Sequence, residues 1–215
     1  MPASLLLGHR GARSTRSIPE NTIASFDLAL EHGCDGFEFD VRLTADGQPV
    51  ICHDPEIAGI EIASARAEQV SQLPSLQQVV ARYQATAFLD IELKVSGLEE
   101  IVLEVLGEHP PQKGFVVSSF LPEPLVALRS LDAELPVGLI CETTPQYREW
   151  HNLPVQFVIP HHTLIDINII QELHEAGRRV LAWTVNLEER MLQLRDRGVD
   201  GIISDRTDLL GKLRA

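Results

Sequence analysis

RVLAWTVNLEERMLQLRDRGVDGIISD (179–205) reads as a strand, a helix and a second strand. RVLAWTV (179–185) is a short apolar run. LEERMLQLRDRG (187–198) is amphipathic and is stopped by Gly198, and VDGIISD (199–205) is apolar again. The same unit recurs towards the start of the chain. RVLAWTV follows the helix IDINIIQELHEAG (165–177), itself preceded by the strand VQFVIP (155–160). Before that come PVGLIC (136–141) with the short helix PQYREWH (145–151), GFVVSSF (114–120) with PEPLVALRSL (122–131), and AFLDIEL (87–93) with GLEEIVLEVLGEH (97–109).

The first units are SLLLGH (4–9) with ENTIASFDLALEHG (20–33), and DGFEFDV (35–41) with LPSLQQVVARY (73–83), in which Ser75 is a candidate cap. Asn21 is the expected cap of the earlier helix. Ile23, Phe26 and Leu30 share one of its faces, and Gly33 ends it. QPVICHD (48–54) stands apart, because Ala45-Asp46-Gly47 before it is a hairpin turn. A helix follows the last strand from Thr207.

Eight strand–helix units imply a closed α/β barrel, the (β/α)8 or TIM barrel, with a short hairpin extension after the second strand. The 215 residues leave about 27 per unit and fit one barrel domain over 1–215. A doubly wound open sheet is the alternative, but no glycine-rich phosphate loop follows the first strand.

Composition narrows the function. With 44% hydrophobic and 23% charged residues the chain is an ordinary globular one, not a disordered or coiled-coil one. A net charge of −13, from 18 basic and 31 acidic residues, argues against nucleic acid as a partner and repels phosphate esters and anionic lipid. A phosphate-binding site here would need a locally positive centre, most simply a bound cation. Cys34, Cys52 and Cys141 form no CxxC pair and read as reduced, half-buried residues of a cytoplasmic protein. No run of about 18 apolar residues exists to span a membrane, and MPASLLLGHRGA reads as a first strand, not a signal peptide.

In such barrels the chemistry lies where the strands end. There the sequence offers His9-Arg10-Gly11, Glu38 and Asp40, His53-Asp54, Asp90, Glu92 and Lys94, Ser118-Ser119, His161-His162, Trp183-Thr184 and Asp205. Glu38 and Asp40 are two apart on a strand, so they share a face, with Phe37, Phe39 and Val41 on the other. Glu92 is placed alike between Ile91 and Leu93. Two inward carboxylates repel unless a cation or proton separates them. Three of them, all-oxygen, suit Mg²⁺ or Ca²⁺ better than zinc. The competing reading is a set of salt bridges with Arg10, Arg42 and Lys94. Lys94 pairs with Glu92 or meets a phosphate. His9 and His53 are the candidates for acid–base work. His32, His109, His151 and His174 fall on or beside helices and read as solvated. At most one of His161 and His162 faces the site.

HRGARSTRSIPENTIASF, GFEFDVRLTADGQPVICHD, LPSL, LDIELK, LAWTVN and VDGIISDRTDLL, in that order from His9 to Leu210, resemble the glycerophosphodiester phosphodiesterase family. The resemblance implies a (β/α)8 barrel that uses a divalent metal to hydrolyse glycerophosphodiesters to glycerol 3-phosphate and an alcohol. It implies that His9 and His53 are an acid–base pair, and that Glu38, Asp40 and Glu92 hold the metal. It also implies that Arg10 and Lys94 face the phosphate and that Trp183 lies near the substrate. The nucleophile it implies is the substrate's own glycerol 2-hydroxyl, giving a cyclic phosphate that water then opens. Asn21 and Thr22 fit a helix cap better than chemistry. Two departures stand out. HDPEIAGIEIASARAEQVSQLPSL is short and lacks the Arg-Thr-Thr-Gly-like stretch often found there, so a reduced lid is expected, and Thr207 replaces a frequent proline.

The expected partner is a small glycerophosphodiester, with no nucleic acid and no stable membrane anchor. A lysophospholipase D-type enzyme would want an apolar rim or amphipathic anchor, and neither is evident. A silent binding barrel would be expected to have lost one of the two histidines or three acids.

Overall fold

Short β-rich runs separated by capped helices have one economical solution here, which is to curl the strands into a ring and lay the helices outside. The structure, a computed structural model, describes residues 4–15 and 17–214. Its strands are β1 (Leu5–His9), β2 (Gly36–Leu43), β3 (Pro49–Ile51), β4 (Glu56–Ile57), β5 (Ile60–Glu61), β6 (Phe88–Leu93), β7 (Phe115–Ser119), β8 (Val137–Cys141), β9 (Phe157–Pro160), β10 (Arg179–Ala182) and β11 (Gly201–Ser204). Eight of these run parallel in the order β1-β11-β10-β9-β8-β7-β6-β2, and β1 pairs with β2 to close the ring. The helices are α1 (Ile23–Glu31), α2 (Leu76–Tyr83), α3 (Glu99–Glu108), α4 (Pro122–Leu131), α5 (Thr144–Arg148), α6 (Ile167–Glu175), α7 (Glu188–Asp196) and α8 (Thr207–Leu210). This is the (β/α)8 barrel that the alternation predicts.

β3 lies outside the ring, antiparallel to β2 with Val41 opposite Ile51, as the Asp46-Gly47 turn predicts. The short segment after His53 folds as the two-residue strands β4 and β5 and two 3₁₀ turns over a small core of Val50, Cys52, Ile62 and Val70.

The strand period of two sorts each strand's side chains. Leu7, Phe88, Val116, Ile140, Phe157, Ile159, Leu181 and Ile203 fill the barrel interior. The alternate set, including Phe37, Phe39, Leu89, Ile91 and Val117, packs under the helices. Phe26 of α1 stacks on Phe37, centroids 4.2 Å apart, and burying each such ring is worth roughly 1.5–3 kcal/mol. At Gly36 a Cβ would overlap the Phe88 carbonyl oxygen, so only glycine lets β2 and β6 approach this closely.

Capping follows the sequence with one correction. Ser75 caps α2 in a capping box, and Gly198, in the left-handed region at φ 89°, ends α7. The cap of α1, however, is Thr22, whose hydroxyl accepts from the Ser25 N–H, and not Asn21. The cysteines are free thiols and buried, not half-buried. His32 is partly buried, its Nδ1 2.8 Å from the Thr207 hydroxyl, a contact proline at 207 could not make.

Candidate active site

The inward set changes character at the C-terminal ends of the strands. Below lie Leu7, Phe88 and Ile203, and one step further along the same strands lie His9, Asp90 and Asp205. The mouth opens into a cavity of about 300 Å³ lined by His9, Arg10, Glu38, His53, Glu92 and Lys94 on one side and Phe120, Glu142 and Trp183 on the other. Asp40 does not line it, being fully buried, but its carboxylate belongs to the same cluster.

Glu38, Asp40 and Glu92 each bring an oxygen to within 4.8 Å of the others. Adjacent parallel strands put them there, with Asp40 opposite Glu92 and Glu38 opposite Asp90 in register. Burial, then the Asp40 charge, pushes the Glu38 and Glu92 carboxyls up, Glu92 to about 7. Burial raises Asp90 to about 7 against the pull of its Ser118 hydrogen bond at 2.5 Å. Asp40 goes the other way. Burial alone would raise it, but Lys94, Arg10 and the Asn21 amide outweigh burial and hold it below the usual carboxylate range. Lys94 Nζ lies 2.6 Å from Glu92 Oε1 and 3.4 Å from Asp40 Oδ1, and Arg10 Nε 3.3 Å from Asp40 Oδ2.

The fit of a hard divalent cation is testable on these oxygens. Glu38 Oε1 and Asp40 Oδ1 are buried without a hydrogen-bond partner. Orphaned buried acceptors this close together match the all-oxygen shell of Mg²⁺ or Ca²⁺. Lys94 and Arg10 bring two positive charges to three carboxylates, and Arg10 is shared with Glu20, which leaves the cluster short of positive charge. The donor set therefore fits the cation.

His9 is held from behind. Its Nδ1–H donates to Asp205 Oδ1 at 2.7 Å, which leaves Nε2 facing inward, 3.9 Å from Glu38 Oε2. Burial lowers the His9 pKa, and the Asp205 bond only partly offsets this. Asp205, though partly buried, is held down to about 2 by the His9 bond, with Asn186 Nδ2 donating at 2.7 Å as a second support. His53 comes from the hairpin arm. Its Nδ1 is 2.7 Å from Asp54 Oδ1, and its carbonyl accepts from Arg42 Nε and Nη2 at 2.8 and 2.6 Å. Arg42, one of the salt-bridge partners weighed for the acids, thus serves the arm instead.

Arg10 adopts φ 51° and donates its backbone N–H to Glu38 Oε2 at 2.9 Å, while Nη1 donates to Glu20 Oε1 at 2.7 Å. Asn21, at φ 57°, donates its amide to Asp40 Oδ2 at 2.7 Å. Trp183 donates Nε1–H to the Ile159 carbonyl at 2.9 Å and meets Phe120 edge to face at 5.4 Å. His161 packs its ring on Trp183 at 5.3 Å.

His9, Arg10, Glu38, His53, Glu92, Lys94 and Trp183 thus line this mouth, with Asp40 buried beside them, whereas Ser119 and His162 do not line it. Sequence reasoning gave no role to Asp205, Glu20, Phe120 or Glu142, and took Asn21 for a cap. Asp205, Phe120 and Glu142 share the inward parity of their strands, a signal that was there to be read. Glu20 and Asn21 lie in a loop whose course no periodicity describes.

The model of the glycerophosphoryl diester phosphodiesterase family matches residues 9–104 and 60–209. A putative glycerophosphodiester phosphodiesterase of Bacillus subtilis (strain 168) is 30% identical, covering 96% of this chain and 96% of that protein. A glycerophosphodiester phosphodiesterase of Caldanaerobacter subterraneus is also 30% identical with the same coverage. The solved structure of an Oleispira antarctica phosphodiesterase in complex with the product sn-glycerol-3-phosphate superposes with a TM-score of 0.83 at 28% identity, covering 99% of this chain and 98% of that one. The chain belongs to the glycerophosphoryl diester phosphodiesterase family, a family of phosphoric diester hydrolases. Among the described residues no helix is long and apolar enough to cross a membrane.

Proposed function

We propose that this barrel hydrolyses glycerophosphodiesters to glycerol 3-phosphate and an alcohol, with a divalent cation held by Glu38, Asp40 and Glu92 and with His9 and His53 as the acid–base pair. The observation behind this reading is that three buried carboxylates, two of them with an oxygen that lacks a hydrogen-bond partner, converge beside His9, in one cavity with His53. The names of the relatives point the same way.

His9 suits the base. With its Nδ1 proton committed to Asp205, Nε2 holds the free lone pair and accepts the proton of the attacking hydroxyl. His53, in the same cavity and half-exposed, gives a proton to the departing alcohol oxygen as the phosphorus–oxygen bond breaks. A cation held by Glu38, Asp40 and Glu92 would supply Lewis-acid stabilisation of phosphoryl charge. Arg10 and Lys94 stand at the same rim with donors for phosphate oxygens.

The test is phosphorus NMR of glycerophosphodiester hydrolysis after chelation, and again with Mg²⁺ or Ca²⁺. Glycerol 3-phosphate should form only with the cation. His9→Ala and His53→Ala should each slow turnover by roughly 10²–10⁴-fold with the fold intact. Full activity after verified metal removal, or near-normal kcat in His53→Ala, would contradict the reading.

A further inference from the structure

The loop after β1 carries an arginine that the chemistry above leaves unused. Arg13 is set in place by its neighbours. The Ala12 N–H donates to the Ser25 carbonyl at 3.0 Å, and the Ser14 N–H donates to the Asp205 carbonyl at 3.2 Å. The chain is thus pinned to α1 on one side and to the end of β11 on the other. Between these pins the Arg13 guanidinium reaches two carboxylates. Its Nε donates to Glu20 Oε2 at 2.5 Å, and its Nη1 lies 3.5 Å from Asp205 Oδ1. Both acids stand behind the site. Glu20 Oε1 accepts from Arg10 Nη1 at 2.7 Å, and Asp205 Oδ1 accepts from His9 Nδ1 at 2.7 Å. Arg13 itself lies outside the active-site cavity, along a separate groove of about 410 Å³. The second arginine of that groove, Arg206, forks onto Asp208 with two bonds of 2.9 Å and reaches neither acid.

The two contacts act on different parts of the machinery. A carboxylate facing a guanidinium favours the two-bond fork, which would draw both Arg10 Nη atoms onto Glu20. Arg13 occupies Glu20 Oε2, so Glu20 holds Arg10 through one oxygen only. Among the described residues nothing bonds Arg10 Nη2, which leaves that nitrogen for a phosphate oxygen. On the other side, Arg13 and Asn186 grip Asp205 at its two oxygens, Asn186 Nδ2 donating to Oδ2 at 2.7 Å. That grip fixes the plane of the carboxylate to which His9 is bonded. We propose that Arg13 is a positioning residue of the reaction, one guanidinium tying the acid behind Arg10 to the acid behind His9. The inference rests on the phosphodiesterase reading above. It goes beyond that reading by making phosphate binding and the acid–base step depend on one residue that touches neither substrate nor cation.

The experiment measures kcat and KM in a double-mutant cycle: wild type, R13M, E20Q, D205N, R13M/E20Q and R13M/D205N. The substrate is whichever of glycerophosphocholine and glycerophosphoglycerol wild type turns over faster, with saturating Mg²⁺ or Ca²⁺. In the wild-type background R13M should raise KM and lower kcat, each by roughly three- to fivefold, the upper end for a partly exposed ion pair. The rise in KM should vanish in the E20Q background, and the fall in kcat should vanish in the D205N background. A lowered melting temperature with wild-type kcat and KM would make Arg13 a brace of the fold only and overturn the inference. Equal losses from R13M in all three backgrounds would overturn it as well, because Arg13 would then act through neither acid. Both results leave the phosphodiesterase reading intact, whereas a wild type that hydrolyses neither diester would overturn both.

Discussion

His9 Nδ1 and Asp205 Oδ1, 196 residues apart in the chain, sit 2.7 Å from each other and fix the imidazole with Nε2 towards the carboxylate cluster. Asp205→Asn is isosteric, yet its amide can donate to Nδ1 and so favour the wrong tautomer. It should reduce kcat by on the order of 10²-fold or more, with little change in melting temperature or cation affinity. Steady-state kinetics beside cation titration calorimetry separate this from a merely structural role. A variant that turned over normally would remove Asp205 from the machinery.

The acids and Lys94 should affect cation binding with opposite signs. Glu92→Gln removes a ligand and should weaken Mg²⁺ or Ca²⁺ binding by roughly 10- to 100-fold, with excess cation restoring part of the rate. Lys94→Met removes an ammonium that already occupies Glu92 and Asp40, so the cation should bind more tightly while turnover falls. Calorimetric titration of both variants decides, and parallel changes in affinity would count against a shared carboxylate site.

Stability without the cation should depend on pH in a definite direction. Glu38, Asp90 and Glu92 bind protons more tightly folded than unfolded, Asp90 and Glu92 with values near about 7. The stability they contribute is complete below their unfolded values near pH 4 and is lost as pH rises through about 7. His9, lowered, slopes the other way below its ordinary value of 6.5 and opposes three carboxyls as a single group, while Asp205 slopes that way only at more acidic pH. The melting temperature of chelated protein should therefore fall between pH 5 and pH 8. Added Mg²⁺ or Ca²⁺ should recover more of it at pH 8 than at pH 5. Calorimetry at the two pH values checks this, and equal recovery would mean that these carboxyls do not meet the cation.

Asn21 carries two loads that substitution can separate. Asn21→Gly keeps the φ of 57° comfortable and loses the side chain's bonds to Asp40, the one its amide donates to Oδ2 at 2.7 Å and the longer one its Oδ1 accepts from the Asp40 N–H at 3.4 Å, at about 1.5–3 kcal/mol. Asn21→Ala adds the cost of the left-handed backbone, roughly 1–2 kcal/mol more. Urea denaturation of both gives the difference directly, and equal losses would show that the backbone conformation costs nothing here.

Much of this was legible because it follows from a period of two. Glu38, Asp40 and Glu92 face inward for the same reason that Phe37, Phe39 and Ile91 face the helices, and that alternation is printed in the sequence. Asn21 was misread because Asn and Thr are both good helix caps and sit side by side. Only the three-dimensional position of Asp40 decides that Thr22 caps and Asn21 reaches across. Residues 56–70 were opaque for want of any periodicity, and they fold as two-residue strands and 3₁₀ turns over a small core of their own. Arg42 was weighed as a partner of the acids because its even spacing from Glu38 and Asp40 puts it on their face of β2, but at the strand end it turns to the His53 carbonyl.

In chain order β11 is the last strand of the ring to be made, and its join with β1 is also where His9 meets Asp205. A nascent chain on the ribosome makes His9, Glu38 and Glu92 early, but His9 waits without its Asp205 partner until the segment containing Gly201–Asp205 has emerged. Until then β1 and β10 each present an open edge, the form most prone to pairing with a neighbour. Competence for chemistry and protection from aggregation thus arrive together, once β11 has been made. A stall or proteolytic cut shortly before Gly201 costs the cell both at once.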